Sequence, residues 1–393
     1  MNESRLSRRR LLAGAGTGLA AAIAGCSLGA PQSSAEDPPP EAISGEFPPE
    51  FQTPGESPDE PVADSGLAQV YADIVDSVGA VRLEGVGETE DGVGGGSAWV
   101  YQDDYLVTNE HVVNNVDDPF VWFNETGWRE ATVVGTDIHS DLAVIEVVDG
   151  RPEQASALPL VSEPVAVGTE IAAIGNPFDL TSSFTTGVVS GRTRNIELGD
   201  RQFSIADGIQ IDAAVNPGNS GGPVVTHDRE VAGIVNAGIR GSALEPVDNV
   251  GFAISARMAN RVIPALIEDG EFRHSRLGVL LTDVTPALIE ANDLGVTFGV
   301  YIVESQADGP AEDILQGSSD EVEVRGQLVP TGGDVIVGLS KDDIEWPIST
   351  TERLSAFLAL HTDPGDTITV TLERDGERTT EEVTLGDREG TEL

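Results

Sequence analysis

Cysteine is almost missing from this chain of 393 residues: Cys26 is the only one, so no internal disulfide can form. Basic residues are scarce too. There are 22 against 67 acidic ones, giving a formal net charge of −45, and among the basic residues only Lys341 is a lysine. Such a surface repels phosphate backbones, which excludes nucleic acid as an expected partner. It also repels itself at low ionic strength, which points to a salt-rich milieu of the kind extreme halophiles maintain. The acids are spread through apolar-patterned segments, not gathered in tails, so an acidic disordered chain is excluded. Long apolar runs are lacking as well. The stretch from Leu11 to Cys26 covers 16 residues, too short and too rich in glycine to cross a membrane comfortably. No Gly-x-x-x-x-Gly-Lys nucleotide loop occurs, and no group of His, Cys and carboxylates has metal-ligand spacing, so neither a cofactor nor a metal is expected. What is present suffices for globular cores. Apolar residues make up 39% and the 45 glycines bring the sum to about half of the chain.

The organising stretch is Asn216-Pro217-Gly218-Asn219-Ser220-Gly221-Gly222-Pro223. A serine attacks a carbonyl only if Oγ stands clear and if nearby N–H groups can receive the charge that develops on the oxygen. Glycine at Gly218 would let its N–H and that of Ser220 converge as an oxyanion hole. A tight glycine turn between two strands is the alternative, so partners decide. Tyr105-Leu106-Val107-Thr108-Asn109-Glu110-His111 sets a histidine just after a short apolar strand, and Ser140-Asp141-Leu142-Ala143-Val144-Ile145 sets an acid just before another. The order His, Asp, Ser differs from that of α/β-hydrolases, whose Gly-x-Ser-x-Gly elbow also needs a helix where Pro223-Val224-Val225 reads as strand. His139 and Asp137 compete for the two roles; neither matches as well, and both are expected at the surface. His227 falls in an expected hairpin turn.

The rest of the chain divides around this motif. Residues 1–26, with Ser7-Arg8-Arg9-Arg10-Leu11-Leu12 and the small-residue run to Cys26, resemble a twin-arginine export signal ending in a lipoprotein box, with Cys26 as the lipidation site. That resemblance implies a membrane anchor through a two-chain lipid. Residues 27–65 are rich in Pro, Ser, Asp and Glu and read as a disordered linker. Residues 66–270 hold strand-length segments in two sets: Ala80 to Leu83, Gly96 to Tyr101, Tyr105 to Thr108, Arg129 to Gly135 and Leu142 to Val147, then Glu170 to Gly175, Ser183 to Ser190, Gly208 to Asp212, Pro223 to Thr226, Val231 to Ala237 and Val250 to Ile254. Ser255 can cap a closing helix that runs to Asp269, kinked at Pro264. Two such sets suggest two barrels with the site between them.

Gly96-Ser97-Ala98-Trp99-Val100, Thr108-Asn109-Glu110-His111-Val112-Val113, Asp141-Leu142-Ala143-Val144-Ile145, Ile174-Gly175-Asn176-Pro177-Phe178, Asp212 to Pro223 and Gly251-Phe252-Ala253-Ile254 together resemble the successive blocks of the HtrA/DegP serine proteases. The resemblance implies a mostly β protein, a chymotrypsin-like double β-barrel followed by a PDZ domain. It implies Ser220 as nucleophile, His111 as general base and Asp141 as the acid that orients it, with Gly218 and Ser220 as oxyanion hole. The substrates would be unfolded or damaged exported proteins, cleaved without ATP at the cell surface, and the assembly a homotrimer. A peptide-binding quality-control module with minor or regulated cleavage is the other function considered. Ala214, six residues before Ser220, with Ile234, Val235 and Asn236, is expected to form an apolar S1 pocket that favours small or medium apolar P1 residues. The loop Gly85 to Gly95 is short, which argues against cage assembly through it. Residues 276–388 resemble a PDZ domain, a small α/β unit, in Leu277-Gly278-Val279, Gly309-Pro310-Ala311, Gly332-Gly333-Asp334-Val335-Ile336 and the strand pair about Asp375-Gly376. Leu277, Gly278 and Val279 would receive a peptide C-terminus. Gln316 to Thr331 lengthens the usual link and leaves its structure open.

Overall fold

The computed structural model describes residues 66–83, 95–114, 116–124, 126–176, 182–198, 201, 203–236 and 249–388. The expected signal and linker with Cys26, the loop 85–94, Pro177, Phe178 and Ala237 lie outside the described residues.

Two closed six-stranded antiparallel barrels carry the first part of the chain. The first is built from β1 (Val78–Arg82), β2 (Gly95–Gln102), β3 (Tyr105–Thr108), β4 (Phe120–Phe123), β5 (Gly127–Asp137) and β6 (Leu142–Val147), in the order β1-β2-β3-β6-β5-β4. The second uses β7 (Glu170–Gly175), β8 (Ser183–Glu197), β9 (Ser204–Ile211), β10 (Pro223–Val225), β11 (Val231–Asn236) and β12 (Gly251–Ser255), in the order β10-β11-β12-β9-β8-β7. Strands β6, β7, β10 and β11 read as near-continuous apolar runs because both of their faces are covered. In β6, Leu142 and Val144 join Trp99, Val107, Ile174, Ile234 and Ile254 in a core shared by the two barrels, while Ala143, Ile145 and Val147 fill the first barrel with Val100 and Leu106. Period-2 alternation thus sends neighbouring residues into different cores. Ile171, Ala173, Val189, Ile211, Val224 and Val235 fill the second barrel.

Sequence patterning missed β4. Its four residues follow Asp117-Asp118-Pro119, and with only Val121 and Phe123 buried it offers too few alternations to stand out. β1 likewise begins two residues before the expected start, at Val78. Among the described residues three α-helices accompany the barrels, α1 (Leu67–Ile74), α2 (Glu110–Val113) and α3 (Ala256–Glu268), with a 3-10 turn at Val75–Ser77 after the first. Helix α3 forms as expected. Ser255 Oγ accepts from the Met258 N–H at 3.2 Å, and Met258, Ala259, Val262, Ile263 and Leu266 fall on one face, which closes the shared core.

Beyond α3 the chain forms a second sheet. Strand β13 (Ser275–Arg276) precedes β14 (Val279–Asp283), α4 (Pro286–Asn292), β15 (Val300–Ser305), β16 (Asp320–Val324), β17 (Gln327–Thr331), β18 (Val335–Lys341), β19 (Ile344–Pro347), α5 (Thr351–His361), β20 (Thr367–Arg374), β21 (Glu377–Thr384) and β22 (Gly386–Asp387). The sheet order is β14-β15-β18-β20-β21 with β19 on β18, and β13 pairs with β22. The lengthened segment is a separate β16–β17 hairpin turning at Arg325-Gly326; its Val324 and Val329 pack in one cluster with Leu288 of α4. Helix α5 lies against the second barrel. Arg194 of β8 meets Glu352 at 3.4 Å, and Arg261 of α3 donates to the carbonyls of Leu360 at 3.3 Å and Thr362 at 2.6 Å.

Candidate active site

The register of β3 on β6, with Thr108 opposite Ala143, brings the residues just after β3 beside those just before β6. His111 on α2 and Asp141 therefore meet. His111 Nδ1 lies 2.7 Å from Asp141 Oδ2, and the His111 N–H donates to Oδ1 at 3.1 Å. The backbone is tied as well. Asp141 carbonyl oxygen accepts from the Glu110 N–H at 3.1 Å and from Asn109 Nδ2 at 3.0 Å. Asp141 is fully buried and takes φ 54, a left-handed conformation that aspartate tolerates better than most residues. A carboxylate facing Nδ1 makes that nitrogen the donor, which leaves Nε2 as the acceptor of a neutral ring.

Ser220 sits 5% exposed on a turn whose glycines are required. Gly218 takes φ 97 and Gly221 φ 84, and a Cβ on Gly221 would collide with Ser97 O and Thr108 Oγ1. The turn is stitched across the barrels. The Ser97 N–H donates to Ser220 O at 2.8 Å, Ser97 Oγ donates to Gly218 O at 2.8 Å, and the Asn176 N–H donates to Ser97 Oγ at 2.9 Å. The Gly221 N–H donates to Val235 O at 3.0 Å, which fixes the turn on β11. Backbone placed this way sets Ser220 at the seam from which α2 rises: a Cβ on Gly221 would also lie 3.2 Å from Asn109 N.

Two residues beside the acid were not anticipated in these roles. Asn236, expected on the S1 wall, instead donates Nδ2 to Asp141 Oδ2 at 2.7 Å and is 1% exposed. Ile234 and Val235 are fully buried, one in the shared core and one in the second barrel, so their side chains offer a substrate no surface. Of the expected pocket residues only Ala214 is exposed. A signal for Asn236 existed: a lone amide in the apolar strand Val231–Asn236 must find a polar partner. Arg201 is the second. Its Nη1 lies 3.7 Å from Asp141 Oδ1 and donates to Ile138 O at 2.9 Å, and its Nη2 donates to Glu110 Oε2 at 2.6 Å. These partners are 60 to 91 residues away in sequence, and nothing local in the chain announces them.

The competing pair is not at the surface as expected. Asp137 and His139 are 5% and 7% exposed, because the turn they belong to is covered by the segment leading into β13. His227 does lie exposed on its turn, 3.0 Å from Glu170. In the second sheet, Gly278 takes φ 77 and its carbonyl accepts from the Gln306 N–H at 3.0 Å, Leu277 is buried, and Val279 opens the outer strand β14. The Asp283 carboxylate at the end of β14 accepts from the Thr351 N–H at 2.7 Å, which holds the start of α5 beside that strand.

Comparison with known proteins agrees with the two-barrel fold. The family described as trypsin-like peptidase domain matches residues 96–234. A protein of Rhizobium meliloti named probable periplasmic serine endoprotease DegP-like is 35% identical over 294 residues, 74% of this chain and 53% of its own. A protein of the same name from Chlamydia pneumoniae is 37% identical over 232 residues, 57% of this chain and 45% of its own. The chain thus spans about half the length of the curated relatives it matches. Among solved structures, that of the HtrA-type protease AlgW with tripeptide is 30% identical with a TM-score of 0.61, covering 83% of this chain and 98% of that one. With its two barrels and the His111–Asp141 pair beside the Ser220 turn, this chain belongs to the HtrA-type family of trypsin-like serine proteases.

Proposed function

We propose that the chain is a serine endopeptidase that cuts polypeptides through an acyl-enzyme. The observation that carries this is the 2.7 Å contact of His111 Nδ1 with the fully buried Asp141, at the seam where the glycine turn presents Ser220. Ser220 Oγ attacks the scissile carbonyl carbon as His111 Nε2 takes its proton, and the carbonyl π pair moves onto oxygen. The N–H groups of Gly218 and Ser220 receive that oxyanion. Collapse breaks the C–N bond, and the leaving amine takes the proton from His111. Water then attacks the acyl ester with His111 again as base, which releases the acid and restores Ser220. Asp141 stabilises the imidazolium and holds its tautomer.

The remaining expectations complete the reading. Residues 66–270 form the protease domain and 276–388 a PDZ domain, whose outer strand β14 beside α5 receives a peptide C-terminus near Leu277, Gly278 and Val279. Substrates are unfolded exported polypeptides. Ala214 at the pocket floor favours small or medium apolar P1 residues. Export by the twin-arginine route, lipidation at Cys26, attachment to the outer face of the membrane and assembly as a homotrimer belong to the same proposal. The test is labelling by a fluorophosphonate in concentrated salt. The parent is expected to label, and Ser220→Ala and His111→Ala to lose it. A folded parent that stays unlabelled, even with unfolded protein or C-terminal peptides added, overturns the reading in favour of a peptide-holding module.

A further inference from the structure

The turn that carries Asp141 is closed by Asp137, four residues upstream. Asp137 Oδ1 accepts from the His139 N–H at 3.2 Å, and Oδ2 accepts from the Ser140 N–H at 3.1 Å and from Ser140 Oγ at 2.5 Å. These bonds fold residues 137–141 so that Asp141 emerges left-handed and faces His111. A fourth donor comes from outside the barrels: His274 Nε2 reaches Asp137 Oδ2 at 2.7 Å.

His274 lies where the second domain begins and ends, beside the separate two-stranded β13–β22 sheet. It directly precedes β13, which pairs with β22, and its carbonyl accepts from the Arg388 N–H at 2.9 Å. Both ends of the second domain therefore converge on this one histidine. Its surroundings are buried and aromatic. The ring is 7% exposed, with Phe272 at 4.7 Å and His139 at 5.3 Å, while His139 also meets Phe203 at 4.7 Å and the Arg388 guanidinium lies 5.1 Å from the Phe203 ring centre. Burial pushes the Asp137 carboxyl up, but the bond and charge of His274, with the bonds from Ser140 and His139, outweigh it and hold the group below the usual range. Losing a donor leaves a carboxylate that is only 5% exposed under-satisfied, a cost the turn can relieve by rearranging. The turn is what would give way, and it leads directly to Asp141.

We propose that Asp137 and His274 are positioning residues that form a latch. Through the His274 N–H the second domain fixes the turn that presents Asp141 to His111. The inference rests on the protease reading for its consequence in rate, but the latch itself is a statement about the His111–Asp141 hydrogen bond.

Two substitutions separate donor from packing. His274→Phe keeps a ring among Phe272 and His139 and removes the N–H, whereas His274→Gln keeps a donor near the position of Nε2 and removes the ring. Arg261→Ala loosens the same junction away from the turn. The purified chain is read by its fluorophosphonate labelling rate, its unfolding midpoint and the downfield proton resonance of His111 Nδ1–H. A misplacement on the order of 1 Å at a catalytic group costs up to roughly 100-fold, so His274→Phe is expected to label roughly 10-fold to 100-fold more slowly with the probe's saturation constant unchanged. Its Nδ1 proton resonance should move or vanish. His274→Gln and Arg261→Ala should label within a small factor of the parent and keep the resonance. Parental labelling by a folded His274→Phe overturns the latch and leaves the protease reading intact, and so does equal slowing by Arg261→Ala. If the parent itself does not label, the protease reading fails while the resonance still decides the latch: an unchanged signal in His274→Phe overturns it. Should His274→Phe not fold, His274→Gln decides, because loss of the resonance with a donor retained overturns the proposal.

Discussion

At the residue scale the site is a problem of satisfying one buried carboxylate. Asp141 accepts from His111, from the His111 N–H and from Asn236, with Arg201 at 3.7 Å completing its surroundings. Asn236 and His111 share Oδ2, so the asparagine limits where that oxygen can sit and aims it at the imidazole. Removing the amide costs a hydrogen bond to a charged group, worth about 1.5 to 3 kcal/mol, though the site recovers part of this by relaxing. Asn236→Ala is therefore expected to slow fluorophosphonate labelling by roughly 10-fold or more, with little change in the probe's saturation constant. A labelling rate equal to the parent's would show that Asp141 is aimed without the Asn236 amide.

At the scale of elements, the barrels were legible where a strand was long and covered on both faces. Glu170–Gly175 and Leu142–Val147 match their expected bounds, and the Ser255 cap marked the start of α3. What was illegible had no local signal. β4 is four residues long, and the burial of Asp137 and His139 depends on His274, more than a hundred residues further on. The candidate site divides in the same way. Motif spacing marked His111, Asp141 and Ser220, but the strand at Ile234, Val235 and Asn236 could not show which way its side chains face until its register on β10 and β12 was known. In the second sheet one polar contact ties elements that share no sequence pattern. Asp334, 1% exposed just before β18, pairs in a fork with Arg374 at the end of β20, at 2.8 and 2.7 Å, and also accepts from the Gln316 N–H at 2.7 Å. Losing one partner of a buried pair strands the other, at a cost of about 3 to 5 kcal/mol. Arg374→Met is expected to lower the unfolding midpoint of the second sheet by several degrees, followed calorimetrically, and Asp334→Asn added to it should restore part of the loss.

At the scale of the whole molecule the net charge of −45 sets the conditions under which the rest can operate. Opposite charges do meet at the surface: Arg325 with Glu290 at 2.6 Å, 75% and 51% exposed, and Arg229 with Asp73. Exposed pairs of this kind contribute about 0 to 1 kcal/mol each, and salt weakens them. With 67 acidic residues against 22 basic ones, most carboxylates have no basic residue to pair with one to one, so the dominant effect of screening is relief of repulsion. The screening length falls from about 10 Å at 0.1 M salt to about 3 Å at 1 M, which is shorter than the spacing of neighbours on a protein surface. The unfolding midpoint is therefore expected to rise steeply over that range of KCl. Sucrose at matched osmolality should raise it far less, because exclusion from the surface leaves the charges unscreened. A midpoint that falls or stays level in KCl would mean that the favourable pairs outweigh the repulsion, and the expectation of a salt-rich milieu would fall with it.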